Sequence, residues 1–157
     1  MIEIQIKTFS ELTTEELYRI LQLRSEVFVV EQDCIYQDID GKDDKALHVL
    51  GIKNQQIIAY ARLFKSGDYF EYASIGRVVV TKNQRRFNYG YEIMKASIEA
   101  IETYFNETTI LISAQAYLKA FYKNCGFVEF SGIYLEDNIP HIMMIKEQVQ
   151  LSDELSF

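Results

Sequence analysis

The sequence has little of what marks disordered, disulfide-rich or membrane-spanning chains. One proline and seven glycines occur in 157 residues, which argues against low-complexity or long disordered segments. Two cysteines, Cys34 and Cys125, are too few for a disulfide scaffold or a zinc site, and we expect both to be reduced thiols. No apolar run reaches the roughly 18 residues that a membrane span needs, so no membrane association is expected.

Positive charge is also scarce. The chain has 16 Lys and Arg against 23 Asp and Glu, a formal net charge of −7. Because a nucleic-acid-binding surface needs a basic face, binding to nucleic acid is not expected, whereas a cationic partner would be attracted. The acidity can equally serve solubility alone. Residues 1–7 alternate apolar and polar side chains as a strand does and lack the features of a secretory signal peptide, so we expect a cytoplasmic protein.

The hydrophobic pattern that is present predicts one domain over residues 1–157, an α/β fold with a mixed sheet and helices on its faces. In chain order the predicted elements are a strand at 2–8, a helix from a Thr13–Glu16 capping box to about residue 30, strands at 46–52, 56–64 and 72–81, a helix at 88–105, a strand at 108–113, a helix at 117–124, and strands at 127–135 and 142–146. The acidic segment 31–45 is predicted to be irregular, 136–140 to be a turn, and the last ten residues to be frayed.

A basic loop follows the strand that ends near Val80. Lys82, Arg85 and Arg86 cluster there in an otherwise acidic chain, and a helix begins directly afterwards. Free backbone N–H groups at a helix N-terminus hold anions well, and Gly90 would let the backbone approach a ligand closely. A solvated basic turn would have the same composition, so the loop alone favours phosphate binding without establishing it.

Two motifs make this loop part of a specific resemblance. Arg85-x-x-Asn88-x-Gly90 resembles the R/Q-x-x-G-x-G/A loop of the GNAT superfamily of N-acetyltransferases, and Phe121-Tyr122-x-x-x-Gly126-Phe127 resembles the second signature of that superfamily. The further blocks that resemble the ElaA-type branch are Leu23-Arg24-x-x-Val27-Phe28-Val29-Val30-Glu31-Gln32-x-Cys34-x-Tyr36-x-Asp38-x-Asp40, Tyr60-Ala61-Arg62-Leu63, Ile75-Gly76-Arg77-Val78, Ala114-Gln115-Ala116 and Glu136-Asp137-x-Ile139-Pro140-His141-Ile142. The resemblance covers residues 15–146. Its one departure is Asn88 in place of the first loop glycine, and asparagine is the least costly non-glycine residue where φ must be positive.

The resemblance implies a GNAT-like acyl-CoA N-acyltransferase fold. Its sheet would be mixed and mostly antiparallel, flanked by helices, with strands that splay apart near Val80 and Ser113. The implied co-substrate is acetyl-CoA, with no metal, and the implied acceptor is a primary amine of a small molecule or peptide. The residues implied to bind the co-substrate are Val78, Val79 and Val80 along the pantetheine arm, Arg85, Arg86, Phe87, Asn88, Tyr89, Gly90 and Tyr91 around the pyrophosphate, and Gln115 on the arm.

The same resemblance places Tyr122 where the superfamily has its general acid. A phenol with a pKa near 10 can donate a proton to the thiolate that leaves when an amine attacks a thioester directly. A backbone N–H at a β-bulge near Val79 would stabilise the oxyanion. For the base we predict His141, or Glu31 acting through a water.

Several alternatives remain open at this stage. Tyr122 could be a core residue, His48 and His141 could each be structural, and Cys125 is more readily packed than an acyl carrier. Arg24 interrupts an apolar helix stripe, where it could reach solvent or, as a buried cation, face a substrate carboxylate or an internal acid such as Glu31. The acidic segment could form a rim for a cationic substrate or serve no such purpose.

The rival functions are a non-catalytic acyl-CoA-binding module or sensor and, with less support, an enzyme like the acyl-homoserine-lactone synthases. A homodimer is one option for assembly.

Overall fold

Seven strands form one mixed sheet, in the order β1-β2-β3-β4-β5-β7-β6. The computed structural model describes residues 2–147. The strands are β1 Glu3–Thr8, β2 Leu47–Lys53, β3 Gln56–Phe64, β4 Ala73–Val80, β5 Ile110–Gln115, β6 Val128–Glu136 and β7 Ile139–Lys146. The helices are α1 Thr14–Arg24 with a π-helical continuation Ser25–Glu31, α2 Tyr89–Ala100 with a π-helical continuation Ile101–Phe105, and α3 Lys119–Asn124. Short 3₁₀ turns occupy Phe9–Glu11, Asp43–Lys45, Lys82–Phe87 and Ala116–Leu118. This is the predicted order of elements.

The sheet separates two hydrophobic cores. Alternate residues of a strand point to opposite faces, so adjacent β2 residues Val49 and Leu50 belong to different cores. On one face α2 packs through Ile93 and Met94, both fully buried. On the other face α1 packs through Ile20 against Leu50, which explains the apolar stripe seen in the sequence.

Strands β4 and β5 form the only parallel pair of the described sheet, and they pair only at their beginnings. Ala73 lies beside Ile110 and Ser74 beside Leu111, and no later register pair follows. The two strands therefore separate toward Val80 and Gln115, which confirms the predicted splay.

A β-bulge interrupts β4 beside this gap. Tyr60 lies opposite Val79 whereas Arg62 lies opposite Gly76, so Arg77 and Val78 together face a single residue of β3. Arg77 has a φ of 49°, a left-handed conformation that is uncommon for a residue with a side chain. A bulge near Val79 was predicted, and the structure places it at the two preceding residues.

Some predicted boundaries were wrong for local reasons. Strand β5 begins at Ile110 and not at 108, because Asn106 ends the preceding helix in a left-handed conformation with φ 56°. The turn predicted at 136–140 is confined to Asp137 and Asn138, both with positive φ, as a tight hairpin requires. Pro140 therefore lies in β7. Pro140 lies one residue beyond His141, the last β7 residue that pairs with β5, so only β6 flanks it. The N–H that proline lacks is therefore not needed for pairing with β5.

The acidic segment is bound to buried arginines. Arg24 is completely buried and its Nε and Nη1 lie 2.9 Å and 2.8 Å from carboxylate oxygens of Asp38 and Asp43. Arg62 is also buried and pairs with Asp40 and Asp43. Two predictions were therefore wrong. These aspartates do not form a rim for a cationic substrate, because they neutralise internal cations. The partners of Arg24 are Asp38 and Asp43, and not Glu31.

His48 is a structural residue of the same network. Its Nε2–H donates to the Asp43 carbonyl at 2.9 Å, and its Nδ1 accepts from the Tyr60 hydroxyl at 2.6 Å. Burial lowers the pKa of His48, which keeps the ring neutral. The prediction of a hydrogen-bonded structural histidine is confirmed here.

Within residues 2–147, no helix is long and apolar enough to cross a membrane. The frayed C-terminus that we predicted, residues 148–157, lies outside the described residues.

Candidate active site

A cavity of about 470 Å³ occupies the gap between β4 and β5. The side chains that line it come from the π-helical end of α1, the bulge of β4, the start of α2, β5, α3 and the β6–β7 turn. All three predicted catalytic residues line it, namely Glu31, Tyr122 and His141. The predicted co-substrate residues that line it are Val78, Val79, Val80, Arg85, Asn88, Gly90, Tyr91 and Gln115.

One part of the cavity has the geometry of an anion cradle. Asn88 links the 3₁₀ turn to α2 with φ 63° and ψ 22°, the left-handed conformation predicted for it. The N–H groups of Tyr89 and Gly90 have no acceptor within the helix, as at the start of every α-helix, whereas the Tyr91 N–H donates to the Asn88 carbonyl at 3.1 Å. A Cβ on Gly90 would lie 3.3 Å from the ring of Phe121, so a larger residue would require that ring to shift by a few tenths of an ångström. The open β4 edge, the αL turn and the glycine fit a pyrophosphate with a peptide-like arm.

Three predicted co-substrate residues do not line the cavity. The Arg86 guanidinium lies 5.0 Å from the ring centroid of Phe87, and Tyr89 is buried in the core beneath α2. Any contact of these residues with a phosphate would therefore come from their backbone amides, as the resemblance implied.

Arg85 is held by two groups at the edge of the cradle. Its Nη1 and Nη2 donate to the Glu31 carboxylate at 2.6 Å and 2.9 Å, and its Nε donates to the Val80 carbonyl at 3.0 Å. The hydrogen bonds from Arg85 lower the pKa of Glu31. A carboxylate thus occupies the guanidinium face that would receive a phosphate.

Two further contacts extend this bridge across the cleft. The Gln32 and Gln115 side-chain amides exchange hydrogen bonds at 3.1 Å and 3.4 Å, and the Cys34 thiol lies 3.5 Å from the Asp137 carbonyl. The segment 31–34 therefore connects the 3₁₀ turn Lys82–Phe87, β5 and the β6–β7 turn. It forms one wall of the cavity.

Tyr122 reaches the cavity from α3. Its side chain is 8% exposed and packs edge-on against Phe121 and Phe127. The phenol oxygen has no hydrogen-bond partner among residues 2–147, and burial raises the pKa of Tyr122, so the group stays protonated well above neutral pH. A buried phenol with a free proton at a cavity wall can serve as a proton donor.

His141 faces the cavity from β7, directly opposite Gln115 in the sheet. Its Nδ1–H donates to the Ile139 carbonyl at 2.7 Å, which fixes the tautomer and leaves Nε2 to accept a proton. Glu136 Oε2 lies 3.2 Å from Nε2, where its charge stabilises an imidazolium. The Tyr134 ring stacks on the imidazole, and its hydroxyl contacts Ser113.

The cavity lining also includes residues that were not predicted as site residues, among them Tyr36, Arg77, Glu136 and Asp137. All four stand in the blocks that carry the resemblance, which was the available signal. Arg77 Nε lies 2.8 Å from Asp38 Oδ1, and its guanidinium lies over the Tyr36 ring at 5.7 Å. Within the described residues no group of three or more His, Cys, Asp and Glu side chains is placed to hold a metal ion.

Comparison with known proteins identifies relatives along nearly the whole chain. The family model described as an acetyltransferase (GNAT) domain matches residues 8–148. The chain is 44% identical to protein ElaA of Escherichia coli K12 over 152 residues, which cover 96% of this chain and 99% of ElaA. The crystal structure of E. coli ElaA superimposes with a TM-score of 0.87, covering 94% of this chain and 100% of ElaA.

Two other solved structures are informative. An acyl-CoA N-acyltransferase from Pseudomonas aeruginosa is 40% identical with a TM-score of 0.87, and the match covers 93% of this chain and 99% of that one. A GNAT family acetyltransferase from Elizabethkingia anophelis with acetyl-CoA bound shares the fold at 16% identity, with a TM-score of 0.67 over 94% of this chain and 98% of that one.

Proposed function

This chain belongs to the acetyltransferase (GNAT) family and is a GNAT-type N-acetyltransferase, and we propose that it transfers the acetyl group of acetyl-CoA to a primary amine of a small molecule or peptide. The amine attacks the thioester directly, and Tyr122 is the general acid. The observation that carries this proposal is the buried phenol of Tyr122, which lines the β4–β5 cleft with its proton free.

The donor half of the site fits coenzyme A. The bulged end of β4 leaves backbone groups of Val78–Val80 unpaired toward β5, and Gln115 faces the same gap. Arg85 and the amides after Asn88 would hold the pyrophosphate. The acetyl-CoA bound to the Elizabethkingia neighbour supports this choice of donor. The donor supplies an activated acetyl carbon, and the protein supplies position, charge and protons.

The step balances with groups that line the cavity. The amine nitrogen forms a bond to the acetyl carbon while the carbon–sulfur bond breaks. Tyr122 gives its phenolic proton to the departing sulfur, which leaves as a thiol. A backbone N–H of the Arg77–Val78 bulge would donate to the carbonyl oxygen as negative charge develops on it.

The amine must also lose a proton, and His141 is the better placed base. Its Nε2 is available because Nδ1 is bound to the Ile139 carbonyl, and the Glu136 carboxylate stabilises the charged ring. Glu31 is the second candidate. It lines the same cavity and would act by orienting a water that takes the amine proton.

The test is acetyl-CoA-dependent thiol release, recorded with a panel of polyamines, amino acids, aminoglycosides and peptide N-termini, with mass spectrometry of the acetylated product. Thiol release that requires an amine supports the proposal. Binding of acetyl-CoA with no turnover on any amine would favour the acyl-CoA-binding module or sensor instead. Failure to bind acetyl-CoA would refute the donor assignment.

A further inference from the structure

We propose that the acceptor is a primary amine that carries a second positive charge, as in a diamine or polyamine, and that Glu136 and Asp137 bind this second charge. The inference rests on the proposed acetyl transfer and adds the chemical class of the acceptor. It depends on how the charged side chains of the cavity are already paired.

The permanent cations that line the cavity in the described structure are Arg77 and Arg85, and each has a carboxylate partner. Arg85 is bound by Glu31 at 2.6 Å, at the edge of the anion cradle. Arg77 is bound by Asp38 at 2.8 Å. An acceptor with a carboxylate or phosphate would therefore have to displace an existing ion pair.

The carboxylates of the β6–β7 turn are not neutralised in this way. Glu136 lies beside His141 Nε2 at 3.2 Å and accepts from the Ser113 hydroxyl at 3.4 Å, and neither is a permanent cation. No Lys or Arg within residues 2–147 forms an ion pair with Asp137, although its main chain is fixed by the Cys34 contact and by its place in the tight turn. This wall of the cavity thus carries net negative charge.

The reaction centre supplies the second, independent observation. Tyr122 is only 8% exposed, and its phenol oxygen has no hydrogen-bond partner among the described residues. Glu136, Asp137 and Tyr122 line one common cavity. A molecule whose amine reaches the donor can place a second ammonium group against the turn.

The second ammonium group would be recognised by Coulomb attraction to the carboxylates. Dissolved salt weakens this attraction because it screens the charges. The three matched probes are 1,5-diaminopentane, pentylamine and 5-aminopentanoate, which keep a similar chain and change the far end from cationic to neutral to anionic. We expect kcat/KM to fall by about tenfold at each change, since the far ammonium would meet two carboxylates and each exposed pair alone contributes up to about fivefold. The preference should shrink when salt is raised.

The variants Asp137→Asn and Glu136→Gln locate the effect. The readout is the ratio of kcat/KM for the diamine to that for pentylamine, because any effect of the variants on the acetyl-transfer step itself is common to both probes and cancels. When both residues are changed, we expect the ratio to drop to about 2. This factor remains because the diamine has two equivalent amines that can be acetylated, whereas pentylamine has one. Glu99→Gln on the exposed face of α2 removes the same charge away from the cavity and should leave the ratio unchanged.

The outcomes separate the two proposals. Equal rates with diamine and pentylamine, a preference for 5-aminopentanoate, or better turnover of an uncharged peptide N-terminus than of the diamine would overturn the cationic acceptor while leaving acetyl transfer intact. A ratio that survives in the double variant would overturn the role of the two carboxylates. No thiol release with any amine would instead count against the proposed function itself.

Discussion

Glu31 and Arg85 lie 54 residues apart in the chain and form a two-pronged ion pair, with oxygen–nitrogen distances of 2.6 Å and 2.9 Å. The pair joins the π-helical end of α1 to the 3₁₀ turn Lys82–Phe87. Because a carboxylate and a phosphate bind the same guanidinium face, the proposed binding of the coenzyme A pyrophosphate to Arg85 would have to compete with Glu31.

Glu31→Gln should therefore tighten the binding of coenzyme A, with a Kd about three- to tenfold lower at low salt, since a charge-assisted bond is replaced by a weaker one. Isothermal titration calorimetry measures this directly. Acetyl-pantetheine has no pyrophosphate and should bind both proteins equally. An unchanged Kd for coenzyme A would show that Arg85 does not bind the phosphates.

The left-handed backbone conformation of Arg77 predicts that a glycine variant is more stable than an alanine variant at this position. Arg77→Gly and Arg77→Ala both lose the ion pair with Asp38, but only alanine keeps a Cβ at φ 49°. The glycine variant should be more stable by about 0.5–1 kcal/mol, because relief of left-handed strain exceeds the entropy that glycine gains when unfolded. Urea unfolding of the two variants gives the difference, and a more stable alanine variant would contradict the bulge.

Asp43 binds two buried cations at once, Arg24 and Arg62. Asp43→Asn should destabilise the fold by about 3–5 kcal/mol, because Arg24, Arg62 and Arg77 would then share only Asp38 and Asp40, which leaves one positive charge of the network unbalanced. The neighbouring Asp44 is exposed, so Asp44→Asn removes the same charge one residue away and should change the free energy of unfolding by less than about 0.5 kcal/mol. Similar losses in both variants would mean that the buried network contributes nothing specific.

The same network predicts how stability depends on pH. Burial on its own would raise the pKa of Asp40, but hydrogen bonds and charge from Arg62 outweigh it and lower the pKa to about 2. The folded pKa is thus below the unfolded value of about 4, so the contribution is present above pH 4 and is lost as pH falls toward 2. Chemical unfolding between pH 6 and pH 2 should show this fall, and Asp40→Asn should make the curve flatter. A wild-type curve that is level through this range would contradict the assignment.

Local signals were the part of this fold that the sequence could predict. The capping box is present, with Glu16 N–H donating to Thr13 Oγ1 at 3.0 Å and Thr13 N–H donating to Glu16 Oε1 at 2.8 Å. Asn88 adopts positive φ, as asparagine at a glycine position suggested. Both features depend only on residues within one turn of the chain.

Features that depend on distant pairing could not be predicted in this way. The acidic segment offered no sign that its aspartates meet Arg24, Arg62 and Arg77, which come from three separate elements. The bulge is hidden for a similar reason, because an extra residue in β4 is visible only against β3. The residues of the candidate site were predicted largely through the resemblance, while their ion pairs and tautomers needed the structure.

The central claim is that Tyr122 protonates the leaving thiolate. Since its phenol oxygen has no partner in the described structure, Tyr122→Phe removes a proton donor and leaves the packing with Phe121 and Phe127 intact. The thermal stability of this variant should stay close to that of the wild type.

The most direct measurement is the rate of amine-dependent thiol release at saturating acetyl-CoA, compared between wild type and Tyr122→Phe, with the Kd for acetyl-CoA measured on both. The account predicts a kcat at least tenfold lower in the variant and the same Kd, as expected when only proton donation is lost. An unchanged kcat on an amine that the wild type acetylates would contradict it.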